Sequence, residues 1–265
     1  MNDLEIYCVT NKRLDFLEKS PFKLVGVGNE NFSEKYMQCN HKENIYYKEK
    51  HYSELTFHYW YWKNILPKEK NQWVGFCQKR RFWLKSENNK NNITKENLND
   101  FILTEINSEL KNFESFICNP INVFGAKKIK IIKRGWKNLI KDPSIILNPK
   151  KETLSFHFDM HHGHKNLERA IKLLDDKNRD DFLNYVNTRN FYNPHIMCIS
   201  RPDILERWFN NLFPWLERCE NEFKNIELKG YDTERLYAYL AERYLSYWFK
   251  KYTKYKELPW AAIIL

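Results

Sequence analysis

Tyr52-Ser53-Glu54-Leu55-Thr56-Phe57-His58-Tyr59-Trp60-Tyr61-Trp62-Lys63-Asn64, followed after a short connection by Trp73-Val74-Gly75-Phe76-Cys77-Gln78-Lys79-Arg80-Arg81, has the pattern of a helix and then a strand. Leu55, Tyr59 and Trp62 recur at helical spacing, and Ser53 is a residue type that opens helices. The run WVGFC is short, apolar and rich in β-formers, which predicts a strand that ends in a basic segment. Upstream, residues 4–10 (LEIYCVT) end at Asn11-Lys12, and residues 22–27 (FKLVGV) close at Gly28-Asn29. Strands followed by a helix and a further strand give the alternation of a mostly parallel sheet, so the expected class is α/β.

Working outward, residues 86–100 (SENNKNNITKENLND) are polar and low in complexity, which predicts a mobile loop or lid at about 85–100. Residues 127–133 alternate charged and apolar side chains and predict a half-exposed strand; residues 144–147 (SIIL) predict a shorter buried one. Helices are expected over 167–174 and around 180–186, and a strand over 195–199 (HIMCI). Leu205, Trp208, Phe209, Leu212, Leu216 and Phe223 mark a long helix over 202–223, which Pro214 should kink. A second long helix, apolar nearly all round, is expected over 233–250. No internal repeat is present, and the reading is one domain over 1–265.

Composition bounds the function. With 9 Trp, 16 Tyr and 18 Phe among 265 residues, the chain carries too much apolar surface to be disordered. Its 7 glycines form neither G-x-G-x-x-G nor G-x-x-x-x-G-K-[ST], which argues against glycine-rich phosphate loops. Cys8, Cys39, Cys77, Cys118, Cys198 and Cys219 are widely spaced, without C-x-x-C or zinc spacing, and are expected to be reduced core residues. The start lacks a basic n-region and an apolar h-region, and no run reaches the ~18 apolar residues of a membrane span, so a cytoplasmic protein is expected. The formal charge of +10 calls for an anionic partner: a nucleotide, a nucleic acid or an acidic membrane surface.

Four constellations can carry chemistry. Arg80-Arg81 follows the WVGFC strand, and open α/β sheets bind ligands beyond the carboxyl ends of their strands; two guanidinium groups there suit a diphosphate, with a solvated basic turn the plainer reading. Phe158-Asp159-Met160-His161-His162-Gly163-His164-Lys165 gathers a carboxylate and three imidazoles ahead of a helix. Such a set can bind a metal, supply a general base, or form a polar capping loop. Glu54, in the first turn of its predicted helix, complements the macrodipole. Arg235 and Glu242 are seven apart on the last predicted helix and so share a face, with Arg243 beside them; a salt bridge and a contact with the active site both fit.

Further segments fall in a telling order: Asn11-Lys12, then Asn44-Ile45-Tyr46-Tyr47-Lys48-Glu49-Lys50-His51-Tyr52-Ser53-Glu54-Leu55-Thr56, Tyr59-Trp60-Tyr61-Trp62-Lys63-Asn64 and Gly75-Phe76-Cys77-Gln78-Lys79-Arg80-Arg81-Phe82-Trp83. His161-His162, Pro194-His195-Ile196-Met197-Cys198-Ile199 and the stretch from Arg235 to Leu245 continue it. In this order along nearly the whole chain, they resemble a family of bacterial glycosyltransferases from capsule and exopolysaccharide clusters, some of which are assigned galactofuranose transfer. Gln78-Lys79 stands where the family pattern has His-Tyr, Tyr46 and Glu49 where it has Ser and Asn, and Asn11 where it has His, so the chain looks like a divergent member.

The resemblance implies a single GT-A-like, Rossmann-like α/β domain that binds a nucleotide sugar at the carboxyl end of a mixed, mostly parallel sheet. It implies inverting transfer of a hexose, galactofuranose among the candidates, from a UDP-sugar to a capsular or other surface glycan, lipid-linked acceptors included. By family position, Asn11 and Lys12 are expected near the nucleotide and Glu54 near the donor sugar. Many GT-A enzymes hold the diphosphate through Mn or Mg on Asp-x-Asp, a motif missing from this sequence. Arg80 and Arg81 are therefore expected to offset the leaving-group charge, and no metal ligand or cofactor is assigned. Asp159 or His162 is the expected base, with His161 beside it, and His164, Arg235, Glu242 and Arg243 as acceptor or supporting contacts. The basic surface and the apolar tail from Trp260 to Leu265 can place the enzyme at the inner membrane face, although packing of that tail fits equally. Two other classes stand beside this reading. One is a basic nucleic-acid-binding protein; the other is a metal-dependent hydrolase built on Asp159 and the histidines.

Overall fold

Trp73–Gln78 forms the strand expected of it, and a sheet assembles on both of its sides. The computed structural model describes residues 3–66, 72–226, 228 and 230–264. In chain order the elements are β1 (Leu4–Thr10), β2 (Lys23–Gly26), β3 (Met37–Gln38), α1 (Glu49–Tyr52), α2 (Leu55–Asn64), β4 (Trp73–Gln78), β5 (Arg81–Trp83), α3 (Leu98–Phe101), β6 (Ser115–Cys118), β7 (Ile121–Asn122), α4 (Lys128–Lys141), α5 (Leu154–His162), α6 (Asn166–Ile171), α7 (Asp176–Thr188), β8 (Phe191–Tyr192), β9 (Cys198–Ser200), α8 (Pro202–Phe223), α9 (Tyr231–Glu234), α10 (Leu236–Tyr252), β10 (Tyr255–Leu258) and β11 (Trp260–Ala262). They divide into two compact units. The first comprises Met1–Asn119, His195–Phe213 and Trp248–Leu265, the second Pro120–Pro194 and Pro214–Tyr247.

The first unit holds a mixed sheet in the order β10-β6-β9-β4-β1-β2-β3. The long ladders are parallel, β1 with β2 and β4, and β6 with β10; β9 runs antiparallel between β4 and β6. This is the α/β class expected from the sequence. β1 is buried on both faces, as parallel strands are. Leu4, Ile6 and Cys8 enter one core cluster with Leu24, Phe82 and Ile199. Tyr7, alternating to the other face, meets Phe57 and Tyr61 of α2 at ring separations of 5.3 and 5.1 Å. Burial of such aromatic side chains is worth about 1.5–3 kcal/mol each, and this layer holds α2 against the sheet. All six cysteines are buried and unbridged.

Two details of this unit differ from the sequence reading. Ser53 does not open α2; it separates α1 from α2 in a left-handed conformation (φ +51°), and Thr56 Oγ1 donates to its carbonyl at 2.8 Å. The face of α2 turned to the sheet is Phe57, His58 and Tyr61, whose rings meet Tyr7 or Phe76, while Tyr59 and Trp62 are half-buried and pack on Phe213. The C-terminal tail is a strand: β11 pairs antiparallel with β5, and Ile263 is buried and donates to the Arg80 carbonyl at 2.8 Å. Sheet packing, rather than free insertion into a bilayer, is the structural role of that tail up to Ile263. Residues 85–100 contain a 3-10 turn at Glu87–Asn89 and α3, whose Leu98 is buried.

The second unit is mainly helical, with β7 and β8 as a small antiparallel pair. Residues 127–133, expected as a strand, lie in α4. Alternation over so few residues fits either period; Ile131 and Gly135, four apart, are the positions that bury, and four is a helical step. In place of the strand expected over 144–147 there is a 3-10 turn, Pro143–Ile146, which Pro143 opens and in which Asp142 accepts from Ser144 N–H. Of the segment Phe158 to Lys165, placed ahead of a helix in the sequence, Phe158 to His162 are the end of α5, which Thr153 Oγ1 opens by accepting from Phe156 N–H, and Gly163, His164 and Lys165 lead into α6. Left-handed His195 (φ +65°) interrupts the predicted 195–199 strand, leaving β9 to begin at Cys198 in the first unit. α6 and α7 match their expected positions. The helix expected over 233–250 breaks at Arg235 into α9 and α10, so Arg235 and Glu242 are not on one continuous helix, and the shared-face argument for them does not hold. α8 spans Pro202–Phe223 as expected, with Pro214 inside it where the two units divide.

Candidate functional site

The carboxyl ends of β1, β2 and β4 lie side by side, since Val9 pairs with Gln78 and Thr10 with Gly26. Loops leaving parallel strands at this edge are where open α/β folds place ligands. After β1, Thr10 Oγ1 accepts from Lys12 N–H at 3.0 Å and donates to Lys12 O at 2.6 Å, fixing the turn that carries Asn11 and Lys12. Lys79, just past β4, donates from Nζ to Asn11 Oδ1. The turns after β1 and β4 are thereby joined by an ammonium.

A second chain runs along the same edge. Gln78 donates through Nε2 to Glu54 Oε1 and accepts through Oε1 from Arg81 Nη1 at 3.2 Å. One carboxamide therefore links Glu54, at the start of α2, to Arg81 in β5. Arg80 takes a different neighbour: it is exposed, and its Nε donates to the Ile263 carbonyl at 3.3 Å. The adjacent arginines are held by different anchors, with Arg81 alone tied to Glu54.

Beside these stands a carboxylate with spare capacity. Gly28, left-handed at φ +78°, follows β2; a methyl placed there would lie 3.4 Å from Glu49 Cδ and 3.6 Å from Asn11 Cβ. Tyr46 donates its hydroxyl to the Gly28 carbonyl. Glu49 Oε1 is buried and has no hydrogen-bond partner among the described residues. A buried carboxylate oxygen without a donor carries a desolvation cost that a ligand hydroxyl or amine relieves.

In the second unit, Asp159 is surrounded by donors. Its Oδ1 accepts from Lys165 N–H at 2.9 Å, and its Oδ2 from Asn138 Nδ2 at 3.0 Å and from His164 Nδ1 at 2.9 Å. His164 is thus oriented by a carboxylate. The other imidazoles are held as weak bases. His162 Nδ1 donates to the Asp232 carbonyl at 2.7 Å and the ring stacks on Tyr239 at 3.8 Å; burial, reinforced by the charge of Arg243, lowers its pKa to about 3. His157 is lowered to about 2 by burial and again by Arg243. His161, whose Nδ1 donates to the His157 carbonyl at 3.0 Å, is lowered mainly by burial, its bond to that carbonyl acting in the opposite sense.

Arg243 is 1% exposed. Its Nη1 pairs with Glu242 Oε2 at 2.6 Å, its guanidinium lies 3.7 Å over the Tyr192 ring, and Nη2 stands 3.4 Å from His157 Nδ1. A buried guanidinium must be paired and stacked in this way, so Glu242 and Arg243 form a structural ion pair next to the histidines.

Against known families, the pattern of the domain-of-unknown-function family DUF4422 matches residues 5–254. The chain belongs to DUF4422. This DUF4422 chain also resembles the apo structure of WbbM, a bifunctional glycosyltransferase, at 19% identity and a TM-score of 0.69. The likeness covers 100% of this chain and 46% of the WbbM chain, so the chain spans under half of that protein's length. At that identity the match shows a shared fold, a GT-A-like α/β arrangement. No curated protein matches the chain.

Within the DUF4422 chain, the sequence reading singled out Asn11, Glu54 and Arg81 but not the residues that connect them. Gln78 and Lys79 do so, and Tyr46 and Glu49 sit at the same edge. All four stood in the quoted segments as departures from the expected pattern, which was the available signal. Among the described residues no group of three or more His, Cys, Asp or Glu is arranged to hold a metal ion. A cavity of about 380 Å³ opens elsewhere in the second unit, lined by Ser155, Glu168, Ile171, Lys172, Arg179 and neighbours, and includes none of the candidate residues. Among the described residues no helix is long and apolar enough to cross a membrane.

Proposed function

We propose that this DUF4422 chain is a glycosyltransferase that moves a hexose, galactofuranose among the candidates, from a UDP-sugar to a hydroxyl of a capsular or other surface glycan, lipid-linked acceptors included. One observation carries the reading: Asn11, Lys79, Glu54, Gln78, Arg81 and Glu49 gather at the carboxyl edge of β1, β2 and β4. The fold shared with WbbM agrees with it.

In this reading Lys12, Lys79, Arg80 and Arg81 face the diphosphate. The bond from the anomeric carbon to the β-phosphate oxygen breaks as the acceptor oxygen attacks, and the charge left on UDP is offset by these cations. Glu54 and Glu49 accept from ribose or sugar hydroxyls. No metal ligand is assigned: the sequence has no Asp-x-Asp, and the reading gives the leaving-group charge to Lys12, Lys79, Arg80 and Arg81.

Inverting transfer needs a base for the acceptor proton. Asp159, His161 and His162 are the residues the sequence favoured. The Asp159–His164 pair suits the task best: Asp159 holds Nδ1, which leaves Nε2 of His164 to take the proton, the division of labour of other carboxylate–imidazole pairs. Depressed basicity suits His161 and His162 to neutral hydrogen bonding with the acceptor.

The testing experiment is a thermal-shift series with UDP, GDP, CMP, UDP-galactopyranose and oligo-dT, each with and without EDTA. A ligand that prefers the folded state raises the melting temperature as its concentration passes Kd. Stabilisation by UDP that survives EDTA is expected. Stabilisation by oligo-dT alone would favour the nucleic-acid reading, and loss of the UDP shift in EDTA would return the diphosphate to a metal ion.

A further inference from the structure

α4 is anchored through one narrow face. Ile131 packs with Ile145, Phe156 and Met160, and Gly135 approaches so closely that a methyl there would stand 2.9 Å from Phe156 Cζ. Away from that face, Ile129, Ile132, Trp136 and Ile140 are 80%, 53%, 52% and 72% exposed. They follow one another at steps of three, four and four, so they form a single apolar stripe along the helix. A folded surface rarely leaves large apolar side chains in such a row without a use for them.

The charge around the stripe is of one sign. Lys127, Lys128, Lys130, Lys133, Arg134, Lys137 and Lys141 are all exposed, and no Asp or Glu occurs from Lys127 to Lys141. Arg134 reaches Asp232 at 3.3 Å; the six lysines are in no ion pair among the described residues. A nucleic acid would satisfy the lysines but offers no apolar phase for three isoleucines. A membrane with anionic headgroups satisfies both, because lysine stems lie along the acyl boundary while the ammonium groups reach the phosphates.

We infer that α4 is an in-plane membrane-binding helix, with Ile129, Ile132, Trp136 and Ile140 sunk into the headgroup–acyl boundary of an anionic leaflet and its lysines on the lipid phosphates. The inference goes beyond the transferase reading and does not rest on it. It also moves membrane contact from the C-terminal tail, whose Ile263 is buried beside the sheet, to an amphipathic helix of the second unit.

The test uses the full chain, without nucleotide, sedimented with vesicles of phosphatidylcholine alone or of phosphatidylcholine and phosphatidylglycerol in equal parts. Wild type is expected to sediment with the anionic vesicles and not with the neutral ones. The double variant I132D/W136D should bind roughly tenfold less or weaker still, since it removes apolar burial and places carboxylates against anionic headgroups. Its melting temperature should stay near wild type, as both side chains are exposed. K130A/K133A/K137A should weaken binding in steps and flatten its salt dependence. The inference is overturned if wild type ignores anionic vesicles, or if I132D/W136D binds them as well as wild type. A dimer dissolved by I132D/W136D in the absence of vesicle binding would also overturn it, making the stripe a protein interface, as would an oligonucleotide shift lost in K130A/K133A/K137A without vesicle binding.

Discussion

Asp159 Oδ2 and His164 Nδ1 stand 2.9 Å apart across the end of α5, a carboxylate holding an imidazole by one nitrogen. If the pair supplies the base of the proposed transfer, His164→Gln lowers kcat by roughly a hundredfold or more while the thermal shift with UDP persists. Asp159→Asn lowers kcat in the same sense. Turnover of His164→Gln at the wild-type rate would dismiss the pair.

Among the described residues Gln78 bonds both Glu54 and Arg81 and links them. Gln78→Leu keeps the volume and removes both bonds, so it is expected to raise KM for the donor about tenfold, the equivalent of about 1.4 kcal/mol. Global stability should change little, because Gln78 is only half-buried. Donor titration of the variant checks it, and an unchanged KM removes Gln78 from the donor site.

Glu49 makes a prediction of opposite signs. Its Oε1 is buried without a donor, so Glu49→Ala should leave the melting temperature of the free protein equal or higher. The same change should weaken UDP-sugar binding about tenfold, because the ligand hydroxyl that would complete Glu49 loses its acceptor. Calorimetric titration beside thermal melting separates the two effects; a lower melting temperature with unchanged binding would make Glu49 a structural residue.

The buried histidines set an acid limit. His162 and His157 have pKa values lowered to about 3 and about 2, against 6.5 for an ordinary imidazole. Between about pH 6.5 and 3 the unfolded chain binds these protons and the folded one does not, so stability falls as pH falls through that window. Each such histidine contributes on the order of 1 kcal/mol per pH unit. His162→Gln should therefore melt with a shallower dependence on pH below 6.5 than wild type. Parallel profiles would show that His162 takes up its proton in the folded state.

How much was legible in the sequence varied with the length of the pattern. β1, β2, β4 and α8 are legible because their apolar runs are bounded by polar turns or extend over many helical repeats. Residues 127–133 are ambiguous because a few alternating residues fit a strand and a helix alike, and the arbiter, contact of Ile131 and Gly135 with α5, is tertiary. The helix break at Arg235 is hidden for a similar reason, since no glycine or proline marks it. At the candidate site, residue types were legible and partners were not. Arg80 and Arg81 are adjacent in sequence, yet one is held by Ile263 and the other by Gln78.

The alternation of strands and helices and the residue types at the strand ends follow from local periodicity and from apolar side chains leaving water, and both are written in the sequence. Which carboxylate meets which cation, which histidines stay neutral and which face of α4 remains uncovered are set by tertiary packing. Those outcomes depend on distances between residues far apart in the chain and on how completely water is excluded around them, and neither quantity is encoded in spacing.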